Sequence, residues 1–419
     1  MAKISAKAKE IRDTVMKTPS PRESLHITTG NDLMDIMFGA GKGYGIESAQ
    51  MIGIYASPSS GKTALCNDVI ANCKFTFGDK LKHRYVDLED GNHFDFMSMY
   101  GFNIIEDEER SSYPRTIEKW STDVIEFMEA LKDDEFGIYV MDSFDLLVAQ
   151  DVVDTMDARR KAHKDNKDFD KGSYGVTKQK YTKGSTVPFL RELSYRKNCI
   201  IIVIMQVIDN IGGGSFDKKQ ISTGGNALTH MFDTKLFMAR REDIKKGTQK
   251  IGHTVKITSE KLRGPLLKWE CMLHFFGVYG FDNISSSLAY LFDLYTDGNE
   301  LQVNREISWN GISDSVENIK KFMNDNEYIE EFKKDFKTSS PKDVYITWIT
   351  SDAERRNKYE QTFGTPMKLQ ELIMYIESNN LEEELTNRVR EKQMNEWKVA
   401  NSVFDGRKPR FQKVANANT

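Results

Sequence analysis

Residues 52–66 read IGIYASPSSGKTALC. Within this run Lys62 and Thr63 follow a loop of small residues, Ser57-Pro58-Ser59-Ser60-Gly61, and Ala64 begins a segment of helical pattern. Such a loop lets successive backbone N–H groups turn inward, and the lysine at its end adds a cation. Together they suit the oxygens of a nucleoside triphosphate, with Lys62 on the terminal phosphates and the Thr63 hydroxyl on Mg2+. The strict loop has glycine at its first position, where this chain has Ala56. The alternative is a chance SSGKT in a surface loop, and the apolar run before it and the helix after it weigh against that.

Two acidic positions belong to the same chemistry. IYVMDS at 138–143 is an apolar strand pattern ending in Asp142, the usual place for a carboxylate that holds the magnesium shell. RYVDLED at 84–90 is a second strand pattern ending in acids. Glu89 there reads equally as a general base that orients an attacking water or as a capping residue, while Asp87 and Asp90 read as caps.

These residues must sit at one edge of a sheet. From about 25 to 275, short apolar runs (MIGIYA, GIYVMDSFDLL, CIIIVIMQV, TKLFMAR, HTVKITSEK) alternate with helical patterns. That alternation predicts an α/β fold with a mostly parallel sheet covered on both faces. The 419 residues are 39% hydrophobic and 29% charged, which suffices for a large core plus appendages. A formal net charge of −4 means that any nucleic-acid role must come from a local groove. The four cysteines form no CxxC pair, so neither zinc nor a disulfide framework is indicated, and a reducing cytoplasm is expected. Residues 3–17 have helical spacing without a secretory h-region, and no apolar run is long enough to span a bilayer. The expected organisation is an N-terminal helix and linker for subunit contacts (1–24) and a core (25–275). A small α/β domain (276–340) and a helical extension with a basic tail (341–419) follow. Two polar excursions leave the core. Residues 151–187 read as exposed with some helix, and the glycine-rich stretch 207–225 reads as a mobile loop.

At this point the chain resembles the RecA recombinase family. The resemblance lies in HITTGNDLMDIMFGAGKGYGIES (26–48), SPSSGKTAL, YVDLED, VMDS, RELSYRKNCIIIVIMQV and STGGNALTHMFDTKLFMARR (222–241). It covers 26–280, fades over 281–335 and is absent from 341–419. It implies a RecA-like P-loop core that binds ATP and Mg2+, assembles as a helical filament on single-stranded DNA and pairs it with double-stranded DNA. It also implies that Glu89 is the catalytic glutamate and that Asp142 and Ser143 form the second nucleotide motif. Gln206 becomes the sensor of the terminal phosphate, and Lys261 a cation supplied to the neighbouring subunit's ATP. The stretches 151–187 and 207–225 become DNA loops, and single-strand-binding or mediator proteins become further partners.

Within the second loop Gly212 and Gly213 would permit close backbone approach, Ile211 and Phe216 would serve as wedges between bases, and Lys218 and Lys219 would reach phosphates. Gly224, Gly225 and Asn226 belong to the segment that closes it. In the first loop Arg159, Arg160, Lys161, Lys178, Lys180 and Lys183 interleave with Tyr174 and Tyr181, and a solvated charged loop is the bland alternative. Departures from the family are Ala56, His93 at an aspartate position near the adenine (with Phe96 keeping a ring that can stack on the base) and Ser259. Ser259 replaces the first lysine of a pair whose second member is Lys261, with Arg263 a possible substitute. These departures and the basic tail look more like a bacteriophage-encoded recombinase. A RecA-fold hexameric helicase or motor is the alternative that keeps the nucleotide residues without the DNA-loop closure. A nucleotide-binding filament or mediator protein with little turnover is the other.

Overall fold

A computed structural model gives the structure of the protein for residues 25–41, 43–104, 113–165, 190, 193–194, 197–209, 220–222, 232–246, 248–265, 269–296, 300–309 and 351–402. The chain forms two compact units, residues 1–283 and 284–419.

The first unit is built on one sheet with the strand order β11-β10-β9-β8-β3-β6-β5-β4. The apolar runs form its centre: β3 (Met51–Ala56), β5 (Phe136–Asp142) and β6 (Cys199–Asp209), joined by β4 (Leu81–Asp87) and β8 (Thr234–Lys246). These five are mutually parallel. β3 and β5 are buried along their whole length, as expected for strands covered on both faces. Gly53 in β3 lets Phe232 lie against the strand, because a Cβ there would meet the ring at 2.4 Å. β9 (Gln249–Lys261), β10 (Glu270–Phe276) and β11 (Gly280–Asp282) continue the sheet antiparallel. The first unit takes in β11.

Helices follow the parallel strands. α1 (Asp32–Gly39) starts at Asn31, whose side chain accepts from the N–H groups of Leu33 and Met34. In sequence it lies between β1 (His26–Ile27) and β2 (Ile46–Glu47), which pair antiparallel with each other. α2 (Lys62–Phe77) leaves the small-residue loop, and α3 (Phe96–Tyr100) is a single turn. α4 (Ile117–Ala130) is capped by Thr116 and buries Ile117, Trp120, Val124 and Met128 at helical spacing. Trp120 meets Phe144 edge-on at 5.3 Å in the same core. α5 (Gln150–Lys164) enters the 151–187 excursion, where some helix was expected, and carries Arg159, Arg160 and Lys161 on exposed positions.

The second excursion differs from expectation at both ends. β6 runs on to Asp209, and β7 (Gln220–Ser222) returns antiparallel to it, pairing Val207 with Ser222 and Asp209 with Gln220. Residues expected as loop there are a strand pair, because backbone hydrogen bonding extends a central strand past the point where its side chains stop being apolar.

The second unit begins with α6 (Asn283–Leu291), whose Asn283 still belongs to the first. It contains the antiparallel pair β12 (Ile307–Ser308) and β13 (Pro366–Met367), then α7 (Ala353–Phe363), α8 (Leu369–Ser378) and α9 (Glu382–Asn401). Leu369, Leu372 and Ile376 of α8 and Leu385 and Val389 of α9 are buried. Lys392 of α9 donates to the carbonyls of Tyr290 (2.7 Å) and Leu291 (3.2 Å) at the end of α6 and to Asp293 (2.6 Å). All four cysteines are buried and unpaired. Among the described residues no helix is long and apolar enough to cross a membrane.

Candidate nucleotide site and the strand that leaves it

The candidate residues from the sequence meet at the carboxyl edge of the parallel strands. Asp87 lies opposite Asp142 across β4 and β5, and Ala56 lies opposite Gln206 across β3 and β6. Ligands of open α/β sheets bind outside this edge.

The loop between β3 and α2 has the backbone of an anion cradle. Ser59 and Gly61 both take left-handed angles, φ 58° and 85°. Pro58 and Ser59 are exposed, while Ser60 is buried and its hydroxyl donates to the Ser57 carbonyl at 2.8 Å. Gly61 caps α2, so Lys62, Thr63 and Ala64 form its first turn and direct unpaired N–H groups towards the loop. Lys62 is largely buried, and its ammonium donates to the Ala56 carbonyl at 3.4 Å.

Thr63 and Asp142 are brought into contact, with the Thr63 hydroxyl donating to Asp142 Oδ2 at 2.9 Å. The Tyr85 phenol donates to the same oxygen at 2.8 Å. Burial pushes the Asp142 carboxyl up to about 6; the two hydroxyl donors oppose this, and the charges of Glu89 and Asp87 reinforce it. Burial likewise holds the Tyr85 phenol well above its ordinary value, so it stays a donor. Ser143 is fully buried, its hydroxyl is without a hydrogen-bond partner, and it follows Asp142 through a cis peptide bond. A Mg2+ ion that keeps waters and takes phosphate oxygens needs only one or two protein oxygens, and Thr63 and Asp142 are of that kind. The cradle angles, the buried lysine and this oxygen pair fit a Mg2+-nucleotide.

Glu89 is exposed, and its Oε1 accepts from Gln206 Nε2 at 2.9 Å. The Gln206 N–H is held separately by Asp145 Oδ2 at 2.6 Å. Neither Tyr85 nor Asp145 stood out in the sequence. A tyrosine two residues before the strand-end Asp87 shares its face of β4, a signal that could have flagged Tyr85 but not its partner Asp142 on β5. Phe96 is half-buried and stacks on Tyr100 with ring centroids 6.3 Å apart. His93 lies beside Asp90, 3.4 Å away.

Other candidates lie apart from this group. Lys261 ends β9, and β8 separates that strand from β3. Ser259 is buried and bound to the Trp269 backbone, accepting from its N–H at 2.7 Å, so a serine suits this inward position. Arg263 is 2.8 Å from the buried carboxylate of Asp233, which makes it an ion-pair partner within its own chain. Ile211, Gly212, Gly213, Phe216, Lys218, Lys219, Gly224, Gly225 and Asn226 lie outside the described residues. So do Tyr174, Lys178, Lys180, Tyr181 and Lys183.

Residues 9–277, well over half of the chain, match the RecA N-terminal domain. The chain is similar to Protein RecA of Thioalkalivibrio sulfidiphilus, 28% identical over 254 residues that cover 59% of this chain and 66% of the relative. Protein RecA of Aquifex pyrophilus is 26% identical over 249 residues, covering 58% and 63%. Protein RecA of Clostridioides difficile is 27% identical over 308 residues, covering 72% and 78%. The chain thus spans just under two thirds of the length of the first two relatives. Because the matching domain covers well over half of the chain, and the first unit is an α/β core on a large, mostly parallel central sheet, the chain belongs to the RecA family.

Proposed function

We propose that this chain is an ATP-dependent homologous recombinase, which assembles as a helical filament on single-stranded DNA, promotes homologous pairing and strand exchange, and hydrolyses ATP in response to DNA. One observation carries the reading: the hydrogen bond from Gln206 to Glu89. Glu89 stands where a general base is wanted, and Gln206 is the last residue of β6 before the Val207–Ser222 strand pair. That pair leads into the glycine-rich segment that carries the DNA-contact candidates. One amide therefore joins the group that activates water to the segment that meets DNA.

In this reading the cradle N–H groups and Lys62 hold the phosphates. Thr63 and Asp142 would hold Mg2+ and its water shell, and Ser143 follows Asp142 in the second nucleotide motif. Phe96 stacks on the base. Glu89 takes the proton of the attacking water, and the Gln206 amide holds that carboxylate until a terminal phosphate competes for it. Lys261 serves the neighbouring subunit. ATP and Mg2+ are the cofactors, single- and double-stranded DNA the substrates, and single-strand-binding or mediator proteins the further partners. Ala56, His93 and Ser259 support a divergent, bacteriophage-type member acting in the cytoplasm of a bacterial host.

The test is Glu89→Gln, which keeps shape and loses basicity. ATP binding should persist, DNA-stimulated hydrolysis should fall by about 10²–10⁴-fold, and filaments seen by electron microscopy on single-stranded DNA should outlast those of the parent. Normal hydrolysis by this variant would make Glu89 a cap and end the reading; closed rings in place of filaments would favour a hexameric motor.

A further inference from the structure

Asn67 lies on α2, one turn and a half beyond Lys62, and is fully buried among Leu65, Cys66, Val69 and Ile70. Asparagine is a weak helix former, and a buried amide is unfavourable unless both of its ends are bonded. Here it is paired with a second amide. Asn67 Nδ2 donates to Asn92 Oδ1 at 2.8 Å, and Asn92 Nδ2 donates back to Asn67 Oδ1 at 3.0 Å.

Asn92 closes the turn that bears Glu89. The turn opens at Leu88, whose N–H donates to the Asp142 carbonyl at 2.6 Å. It bends through Asp90 at φ 56° and is drawn together by Asp87 Oδ2, which accepts from the N–H groups of Gly91 and Asn92, both at 3.0 Å. Glu89 itself is exposed; Gln206 bonds its side chain, and the two ends of the turn set its backbone. One end is held by β5, which carries Asp142. The other is held by α2, which carries Lys62 and Thr63. A two-bond amide pair is directional, whereas an apolar contact at the same place would let the turn slide along the helix.

We propose that the Asn67–Asn92 pair is a positioning device for hydrolysis, fixing the Glu89 turn to the same helix that carries the phosphate-binding lysine. The two asparagines touch no phosphate and act on the rate through Glu89. The proposal rests on Glu89 being the general base.

The experiment compares Asn92→Ala, Asn67→Ala and the double variant, each in the parental chain and in a Glu89→Gln chain. Single-turnover hydrolysis of radiolabelled ATP on single-stranded DNA gives the rate, and a fluorescent ATP analogue gives nucleotide affinity. A turn displaced by about 1 Å should lower the rate by about 10²-fold while affinity stays within about twofold. In the Glu89→Gln chain the same substitutions should cause no further loss, because the group they position no longer acts as a base. If a single variant fails to fold, the double variant, which leaves neither amide orphaned, carries the same comparison. A folded variant with an unchanged rate, an equal loss in both chains, or a loss of nucleotide affinity in place of rate overturns the positioning role and leaves the general-base reading standing. Normal hydrolysis by Glu89→Gln alone overturns the general-base reading, and the positioning role with it.

Discussion

Gly61→Ala tests the phosphate cradle through a quantity the structure supplies. Gly61 adopts φ 85° at the start of α2. Holding an L-residue there costs about 1–2 kcal/mol. An added Cβ would also lie 2.8 Å from Phe281 Cζ and 3.3 Å from Cε2, well inside the optimum of about 3.5–4.0 Å between carbons. Phe281 is packed edge-on against Phe275 with centroids 5.2 Å apart, so its ring cannot swing away without disturbing a second ring. Overpacking of this kind adds about 1–3 kcal/mol. Together the two contributions destabilise the chain by about 2–5 kcal/mol if the loop keeps its shape. If the loop shifts instead, Lys62 and Thr63 move with it and nucleotide affinity falls. Urea unfolding with and without ATP and Mg2+ reads both quantities. Gly61→Ala/Phe281→Leu separates them, since a smaller side chain relieves the contact and leaves only the backbone contribution of about 1–2 kcal/mol. A Gly61→Ala chain within about 0.5 kcal/mol of the parent and with unchanged nucleotide affinity would refute the argument. So would a second substitution that restores nothing.

Asp35 predicts a pH dependence of stability. Burial raises its carboxyl from 3.8 to about 6, against hydrogen bonds from Thr28 and Thr29. The folded chain thus binds this proton more tightly than the unfolded one. The resulting stabilisation, about 3 kcal/mol, is complete below about pH 4 and is lost as pH rises through about 6. Asp35→Asn should therefore stabilise the chain against urea at about pH 7.5 and not at about pH 4, and an equal effect at both would contradict the assignment. Lys261→Ala should retain nucleotide binding and lose DNA-stimulated hydrolysis, since cations supplied in trans are worth about 10³–10⁵ in rate in other NTPases. Mixing it with Lys62→Ala should restore part of the activity through junctions where both halves of a site are intact, and no recovery on mixing would reject a shared site.

The parts of the site that depend on local pattern were legible in the residues. Lys62 and Thr63 are marked by the apolar strand before them and the helix after, and Asp142 by its place at the end of a continuous apolar run. Contacts across the sheet were not legible. Asp145 holding the Gln206 N–H spans 61 positions, and Tyr85 reaching Asp142 spans 57. No periodicity encodes such pairs, because they depend on strand order and register. Asn67 and Asn92 were invisible for a related reason: a single asparagine in a helix carries no pattern until its partner is known. The ends of β8 show a further limit. Its TKLFMAR stretch alternates and reads as a strand, but the strand continues through exposed polar residues to Lys246, held there by pairing with β9. β7, three residues long, exists by pairing with β6 in the same way.

The Lys392 bonds at the end of α6 bear on the order in which the second unit is completed. They join residues 99 to 102 positions apart, and Tyr290 is further tied to Glu396 across 106. During synthesis α6 leaves the ribosome well before its clasp exists, so the Lys392 bonds to its last carbonyls form only once α9 has been made. Closing a loop of this length is entropically unfavourable and slow, and it must precede the contacts that reward it. At a synthesis rate of about 5–20 residues per second, α6 waits about 5–20 seconds for α9. The first unit's sheet is complete in sequence by then, so the protein is expected to hold an assembled nucleotide core while its second unit is still open. A nascent chain stalled before Lys392 should accordingly bind nucleotide while its second unit remains sensitive to protease.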